Sequence, residues 1–150
     1  STINNAYEIK DINGDGRLDK LIPHGIIWMQ GESDAEYSQE SADAYLENLK
    51  NLMILLRAAL RNENLPVVIG KINDSHMTPD GKPTQPFIEI VHSAQKKFTD
   101  MDGCASYVTE IDSYEFSDDA WHYDTDGFIR MGIAFAKAVK KLESECLGIH

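Results

Sequence analysis

Residues 25–34 of the chain read GIIWMQGESD, an apolar run that ends abruptly in a cluster of polar side chains. The run from 24 to 30 is predicted to form a buried strand, and the polar residues follow at its carboxyl end. In open α/β sheets, ligands bind in the crevice outside the carboxyl ends of the strands. The stretch therefore predicts both a parallel sheet and the edge of that sheet at which a functional site lies.

The rest of the chain alternates helices and strands around this first strand. Apolar residues recur every three or four positions over 33–62, 86–101 and from about 126 onward, which predicts three helices. Short apolar runs at 67–70 and 104–109 predict two further strands. This order, with right-handed crossovers, gives an α/β fold: a three-layer α/β/α sandwich with a parallel sheet. Because buried parallel strands are normally covered on both faces, so small a sheet is expected to be incomplete in this chain.

Composition limits the classes of partner. The chain has 150 residues, enough for one domain with one core, and 14 Lys and Arg against 25 Asp and Glu give it a formal charge of −11. So acidic a protein is repelled by nucleic acid and by anionic membranes, so neither is expected as a partner. No apolar run approaches the roughly 20 residues that span a bilayer.

The two cysteines, Cys104 and Cys146, permit at most one disulfide and match no metal-binding pattern. Cys104 lies in an apolar stretch and is expected to be a small core residue. The cysteine content leaves the redox compartment open.

Residues 1–23 form a polar segment that contains a calcium-like loop. Oxygen-bearing side chains stand there at the spacing of a cation loop: Asp11, Asn13, Asp15 and Asp19. Gly16 occupies the sharp turn, but Ile22 stands where the full EF-hand pattern requires a bidentate Glu. Two interpretations remain, a shorter structural calcium loop closed by Asp19, or a solvated turn without metal.

Asp119 and His122 lie two residues apart in the predicted loop 110–124. At that spacing the carboxylate can reach the imidazole and fix its tautomer, which orients His122 as a general base. The other interpretation is a simple surface turn. Glu110 and Asp112 are alternatives to Asp119 as the orienting acid.

Gln30 and Glu32 follow the first strand directly. The Gln30 amide could donate a hydrogen bond to a developing oxyanion, and Glu32 could orient Gln30 or its loop. Alternatively, both residues only cap the next helix. Ser33 is a possible nucleophile, but Ser33 and Glu36 have the spacing of a capping box, which favours Ser33 as the helix N-cap.

Residues 73–82 are rich in Asn, Asp, Ser, Gly and Pro and are predicted to form a loop beside the site. The loop could line a substrate groove, although a solvated connection is the favoured interpretation.

Residues 28–34, WMQGESD, resemble the W-x-Q-G-E-S-D block of the sialate O-acetylesterase-like esterases. These include the acetylxylan esterases of carbohydrate esterase family six, within the SGNH/GDSL hydrolase superfamily. The resemblance covers roughly residues 24–142. Its further parts are LPVVI at 65–69, Ala94-Gln95, DAWH at 119–122 and GIAFA at 132–136.

This resemblance implies an SGNH-hydrolase, flavodoxin-like fold, with residues 24–150 as the C-terminal part of the esterase domain. It implies that His122 is the general base, Asp119 its partner and Gln30 the oxyanion donor, with no cofactor required for catalysis. The family's nucleophilic serine stands in a G-Q-S-N-type block near the start of the domain, and this sequence contains no such block.

The expected protein is therefore a carbohydrate O-acetylesterase domain whose nucleophile lies outside this chain and which is inactive alone. Its expected partners are an acetylated carbohydrate, such as xylan or a sialic acid, and the N-terminal portion of the domain as a separate chain. Polymeric sugar substrates favour a secreted or periplasmic protein. The alternative is a non-catalytic carbohydrate- or calcium-binding module on an esterase-like scaffold.

Overall fold

The sheet at the centre of the fold has three parallel strands. The computed structural model describes residues 11–75, 80, 82–118 and 122–147. The strands are β1 (Ile26–Trp28), β2 (Val67–Gly70) and β3 (Ala105–Val108), and they lie in that order. Val67 pairs with Ile26 on one side and with Ala105 on the other. The predicted α/β class and parallel sheet are confirmed.

Four helices connect and flank the strands. They are α1 (Glu32–Tyr37), α2 (Gln39–Leu60), α3 (Ile88–Met101) and α4 (Thr125–Leu142). A 3-10 turn, Glu110–Ser113, follows β3, and a π-helical turn, Glu143–Leu147, follows α4. None of the helices in the described part of the chain is both long enough and apolar enough to cross a membrane.

The single helix predicted over 33–62 is two helices, because the chain is extended at Ser38. The Ser38 hydroxyl accepts the Ser41 N–H at 3.1 Å and caps α2. The prediction of Ser33 as an N-cap is wrong: Gly31 occupies the N-cap of α1 and Ser33 is an exposed residue inside that helix. The reason is the backbone of Gly31, whose φ of 142° turns the chain into a helix earlier than the capping-box spacing suggests.

Helices cover both faces of the sheet, as parallel strands require. Helices α2 and α3 lie on one face, where the largest apolar cluster forms. Its fully or nearly buried members include Tyr45, Leu49, Met53, Val67, Ile69, Val91 and Phe98. Helix α4 covers the other face through a smaller cluster of Val68, Val108, Phe135 and Leu142. This arrangement is the predicted three-layer sandwich.

A disulfide closes the end of the fold away from the first-strand polar cluster. Cys104 precedes β3 and is bonded to Cys146 in the turn after α4, a separation of 42 residues. The expectation that Cys104 is buried is confirmed, whereas its bond to Cys146 is a pairing that the sequence left open.

An ion pair lies at the same end. Arg57 donates from Nη1 to Asp102 Oδ2 at 2.6 Å and from Nη2 to Oδ1 at 3.0 Å. Its Nε donates to the Leu65 carbonyl at 2.9 Å, so that one guanidinium joins α2 to the chain before β2 and to the chain before β3. Only 12% of the Arg57 side chain and 16% of the Asp102 side chain are exposed. Removing either partner would therefore leave a buried charge without compensation for its lost hydration.

We predict that Asp102→Asn lowers the free energy of unfolding at pH 7 by about 3 kcal/mol, because it leaves the Arg57 charge without its partner. Burial tends to raise the pKa of the Asp102 carboxyl, but hydrogen bonds from Arg57 and the Cys104 N–H, with the Arg57 charge, hold it below its ordinary 3.8. A lowered pKa in the folded state stabilises the fold above pH 3.8, and this contribution is lost as the pH falls toward the folded-state pKa.

Urea unfolding at pH 7 and at pH 3 tests this prediction. The variant should lose part of the wild type's dependence on pH in that range. Asp100→Asn is the matched control, since Asp100 is 58% exposed in its pair with Lys96 and should matter little. Equal losses in the two variants would show that the buried pair contributes nothing particular.

Candidate functional site

A cavity of about 280 Å³ lies where β1 and β2 end. Met29 and Glu32 reach it from the chain after β1, and Asn73 reaches it from the chain after β2. The complete lining is Met29, Glu32, Asn73, Gln85, Phe116, His122, Tyr123, Phe128 and Met131. The position agrees with the prediction that a site lies at the carboxyl ends of the strands.

Gly31 sets the path of the chain from β1 into the cavity. Its φ of 142° is a conformation that side-chain-bearing residues rarely adopt. There is also no room for a side chain, since a Cβ at this position would lie 2.9 Å from Val91 Cγ1 and 3.2 Å from Tyr45 Cε2. A glycine is therefore required for Glu32 to follow the strand so closely.

A buried hydrogen-bond network holds the ends of β1 and β2 together. Tyr45 donates its hydroxyl to the Gln30 carbonyl at 2.6 Å. Gln95, which is fully buried, donates from Nε2 to the Gln30 carbonyl at 3.2 Å and to the Gly70 carbonyl at 3.4 Å. Its Oε1 accepts the Tyr107 hydroxyl at 3.2 Å. Burial raises the pKa of Tyr45 to about 12, so the hydroxyl remains a donor at neutral pH.

The side chain of Gln30 is directed toward α1. Its Nε2 donates to Asp34 Oδ2 at 2.9 Å, and Gln30 is not among the residues that line the cavity. Within the described residues no hydrogen bond joins Glu32 to Gln30, so the orienting contact expected from Glu32 is made by Asp34. Glu32 itself lines the cavity. The roles predicted for Gln30 and Glu32 in catalysis stay predictions.

His122 lines the cavity next to an antiparallel bridge. Phe116 and Tyr123 form an antiparallel bridge, and the Ser117 N–H donates to the His122 carbonyl at 2.8 Å. These bonds fix the backbone of His122. The residue itself is exposed and lines the cavity. Asp119, its predicted partner, lies outside the described residues.

Neither of the alternative acids lines the cavity. Glu110 and Asp112 belong to the 3-10 turn after β3, and Asp112 accepts a hydrogen bond from Lys71 Nζ at 2.8 Å. Ser33 also lies outside the lining, on the exposed side of α1. The structure thus brings His122 and Glu32 to one cavity and places these other three candidates elsewhere.

Aromatic rings form one wall of the cavity. Tyr123 packs against Phe116 with 4.8 Å between ring centroids, and against Phe128 at 6.2 Å in an edge contact. Burial raises the pKa of the Tyr123 hydroxyl, and the charges of Glu32 and Asp112 raise it further, against a hydrogen bond with Asn73. Tyr123 is therefore neutral at physiological pH, which leaves Glu32 as the formal negative charge within the described lining.

The loop after β2 is anchored rather than merely solvated. Asp74 is buried and accepts hydrogen bonds from the Thr84 hydroxyl and the Gln85 N–H, both at 2.7 Å. These bonds bring Gln85 to the cavity beside Asn73. The favoured interpretation of residues 73–82 as a solvated connection is wrong at Asn73 and Asp74. Gln85 could not be predicted from the sequence, because no local pattern marks it and its contact with Asp74 brings it to the cavity.

In the calcium-like loop, carboxylates bind the loop's own backbone. Asp11 accepts the N–H groups of Gly14 at 2.6 Å and Gly16 at 2.7 Å, and Asp19 accepts that of Ile12 at 2.6 Å. Across the described ranges, no group of three or more His, Cys, Asp or Glu side chains is placed to hold a metal ion. Calcium binding by Asp11, Asn13, Asp15 and Asp19 stays a prediction.

We predict that Gly31→Ala destabilises the protein by about 2 kcal/mol or more, because it adds a Cβ in a strained conformation against Val91 and Tyr45. Urea unfolding measures the loss. Gly132→Ala in α4 is the control, since a Cβ there meets nothing within 4 Å and alanine suits a helix better than glycine. A Gly31→Ala protein as stable as the control would show that the close approach at Gly31 is not a constraint.

The family described as carbohydrate esterase, sialic acid-specific acetylesterase matches residues 13–141, which is most of the chain. No curated protein matches the sequence.

Two solved structures share the fold. A protein from Arabidopsis thaliana is similar with a TM-score of 0.66 and 23% identity, over 79% of this chain and 44% of the other. A novel carbohydrate acetylesterase from Xanthomonas citri is similar with a TM-score of 0.54 and 18% identity, over 84% of this chain and 26% of the other. The chain thus spans less than half the length of either structure.

Proposed function

Since the chain belongs to the carbohydrate esterase family of sialic acid-specific acetylesterases, we propose that it removes acetyl groups from carbohydrates at the cavity of His122. The observation that supports this most is the meeting of His122, Glu32 and Asn73 in one cavity, although they come from three segments far apart in sequence. An imidazole, a carboxylate and an amide are the groups that serine-dependent acyl transfer employs as base, orienting acid and hydrogen-bond donor.

In the proposed reaction, His122 accepts the proton of a serine hydroxyl while the serine oxygen attacks the acetyl carbonyl. His122 then gives this proton to the departing sugar oxygen, and water hydrolyses the acyl-serine in the same way. The carboxylate that fixes the imidazole tautomer is Asp119 or, as a second candidate, Glu32. The support for Glu32 is its place in the same cavity as His122.

Two amides are candidates for stabilising the oxyanion. Asn73 lines the cavity and already contacts the side chain of Tyr123. Gln30 uses one N–H for Asp34, but an amide nitrogen carries two hydrogens, so a second donor is left for the role that the family resemblance implies.

The nucleophile is proposed to come from outside these 150 residues. The described lining of the cavity contains no Ser, Thr or Cys side chain, and Ser33 is exposed on α1 away from it. A site with a base but without a nucleophile also fits the second candidate function, a non-catalytic carbohydrate-binding module.

The open edge of β1 supports the remaining part of the esterase domain as the partner. In the described part of the chain β1 pairs only with β2. The Ile26 N–H points toward β2, because it donates to the carbonyl of Pro66, the residue before that strand. The backbone N–H and carbonyl of Ile27 therefore face the other edge, and Ile27 as a residue is 52% exposed. Ile129 and Ile133, one helical turn apart on α4, are also exposed. An added strand and helix would cover such a surface.

The Cys104–Cys146 bond supports the proposal of a secreted or periplasmic location, because structural disulfides persist in oxidising compartments. The substrate class proposed, an acetylated polymer or glycoconjugate sugar such as xylan or sialic acid, agrees with such a location.

We predict that the 150-residue chain alone hydrolyses 4-nitrophenyl acetate no faster than a denatured sample, because it lacks the nucleophile. Release of 4-nitrophenolate measures this. Robust activity of the wild-type chain that Ser33→Ala abolishes would contradict the prediction and make Ser33 the nucleophile.

We further predict that His122→Gln lowers kcat/KM for acetylated xylan or 9-O-acetyl sialic acid by at least about 10³-fold in the complete translation product of the gene that encodes this chain. His24→Gln is the matched control, since His24 lies outside the cavity lining, paired with Glu143. No turnover of either substrate by the wild type, or full activity of His122→Gln, would refute an esterase site at His122.

The same assay separates the two orienting acids. If Glu32 orients His122, Glu32→Gln should lower kcat and change KM little. If Asp119 has that role, Asp119→Asn should have this effect instead. Glu36→Gln, an exposed position on the same short helix as Glu32, controls for the loss of one negative charge from α1.

A further inference from the structure

Gln85 carries a buried polar atom that has no partner among the described residues. The residue is 1% exposed and lines the cavity, and in the described part of the molecule its side-chain oxygen Oε1 accepts no hydrogen bond. Buried side-chain polar atoms are nearly always paired, because an unpaired one has lost its hydration without compensation. An unpaired acceptor on a residue that lines a cavity is explained if a ligand in that cavity supplies the missing donor.

The backbone around Gln85 is held from both sides, so the position is not a loose one. The Gln85 N–H donates to Asp74 Oδ2 at 2.7 Å, and its carbonyl accepts the Ile88 N–H at 3.1 Å. Thr84 makes a second bond to Asp74 at 2.7 Å. A residue fixed in this way can position a ligand group with little loss of side-chain freedom on binding.

The other lining residues restrict the chemistry of the donor. Four of them are apolar, Met29, Phe116, Phe128 and Met131. Glu32 lies in the same lining, and a carboxylate, like a carbonyl oxygen, accepts hydrogen bonds without donating them. A ligand with hydroxyl donors and an apolar face meets both requirements, and a sugar ring with free hydroxyls is such a ligand.

We propose that Gln85 Oε1 accepts a hydrogen bond from a free hydroxyl of the acetylated sugar, so that the site selects partly acetylated over fully acetylated carbohydrate. This inference rests on the proposed carbohydrate acetylesterase function and adds a residue that determines specificity. A fully acetylated sugar has no hydroxyl left and leaves the Gln85 oxygen unpaired, which is a form of discrimination that buried polar groups perform well.

The test uses two pairs of probes with the 150-residue chain. One pair is methyl 2-O-acetyl-β-xyloside and methyl 2,3,4-tri-O-acetyl-β-xyloside, and the other is a 9-O-acetyl sialoside and its fully O-acetylated form. Dissociation constants come from NMR titration, and the acetyl methyl signal in the same spectra reports whether the ester stays intact. The proteins compared are wild type, Gln85→Met and, as a control at an exposed glutamine, Gln39→Met.

We expect at least one partly acetylated probe to bind wild type and the Gln39→Met control alike, and to bind Gln85→Met about tenfold more weakly. Its fully acetylated partner should bind all three proteins equally. The melting temperature of Gln85→Met should equal or exceed that of wild type, since methionine fills a similar volume without the unpaired oxygen. That thermal result separates a ligand-binding role from a structural one.

Other outcomes overturn the proposal at distinguishable points. If Gln85→Met weakens both members of a pair equally, or neither, the role of Gln85 is refuted while carbohydrate binding stands. If Gln85→Met melts well below wild type, Gln85 is a structural residue and the inference fails. If no probe binds wild type, the proposed carbohydrate function fails and the inference fails with it.

Discussion

The cavity depends on one buried polar group, the carbonyl of Gln30, which accepts hydrogen bonds from Tyr45 and Gln95. A strand that ends inside a protein leaves carbonyl groups without ladder partners, and these must be satisfied if they are buried. Here Gln95 reaches Gly70 at the end of β2 as well, so the two strand ends are fixed relative to each other. Gly31 can then turn sharply, in a space that Val91 and Tyr45 leave too small for any side chain.

The fold separates the groups that stabilise it from those that line the cavity. At one end, the Arg57–Asp102 pair and the Cys104–Cys146 bond join helices to the chain that precedes β2 and β3. At the other end, the lining includes an exposed imidazole, a carboxylate and an unpaired buried oxygen. The unpaired Oε1 of Gln85 carries a desolvation cost of about 1–3 kcal/mol that a ligand could recover.

Strand β1 is an exposed edge of the sheet. Parallel sheets are normally buried on both faces, yet Ile27 in the middle of β1 is half exposed. The chain covers 44% of the Arabidopsis structure and 26% of the Xanthomonas one, so those proteins contain much that has no counterpart here. The open edge is where we propose that the rest of the esterase domain packs.

The sequence by itself determined the class of fold, the order of its strands and helices, and the edge at which the cavity lies. These features follow from local patterns: apolar periodicity separates helices from strands, and polar residues after an apolar run mark a strand end. The family resemblance of residues 28–34 agrees with the family match over 13–141. Local patterns were wrong where a backbone conformation overrode them. The extended backbone at Ser38 divides the helix that apolar periodicity predicted over 33–62, and Gly31 starts it earlier than the capping-box spacing at Ser33 predicted.

Only the tertiary structure decided which polar side chains share a cavity. It placed Glu32 in the lining, directed the Gln30 side chain to Asp34, and brought Gln85 to the cavity through Asp74. It also paired Cys104 with Cys146. The disulfide joins residues 42 positions apart, and the cavity lining runs from Met29 to Met131, so no short stretch of sequence contains these outcomes. The physical reason is that a side chain's role is set by what surrounds it after burial, whereas local sequence fixes only the element that carries it.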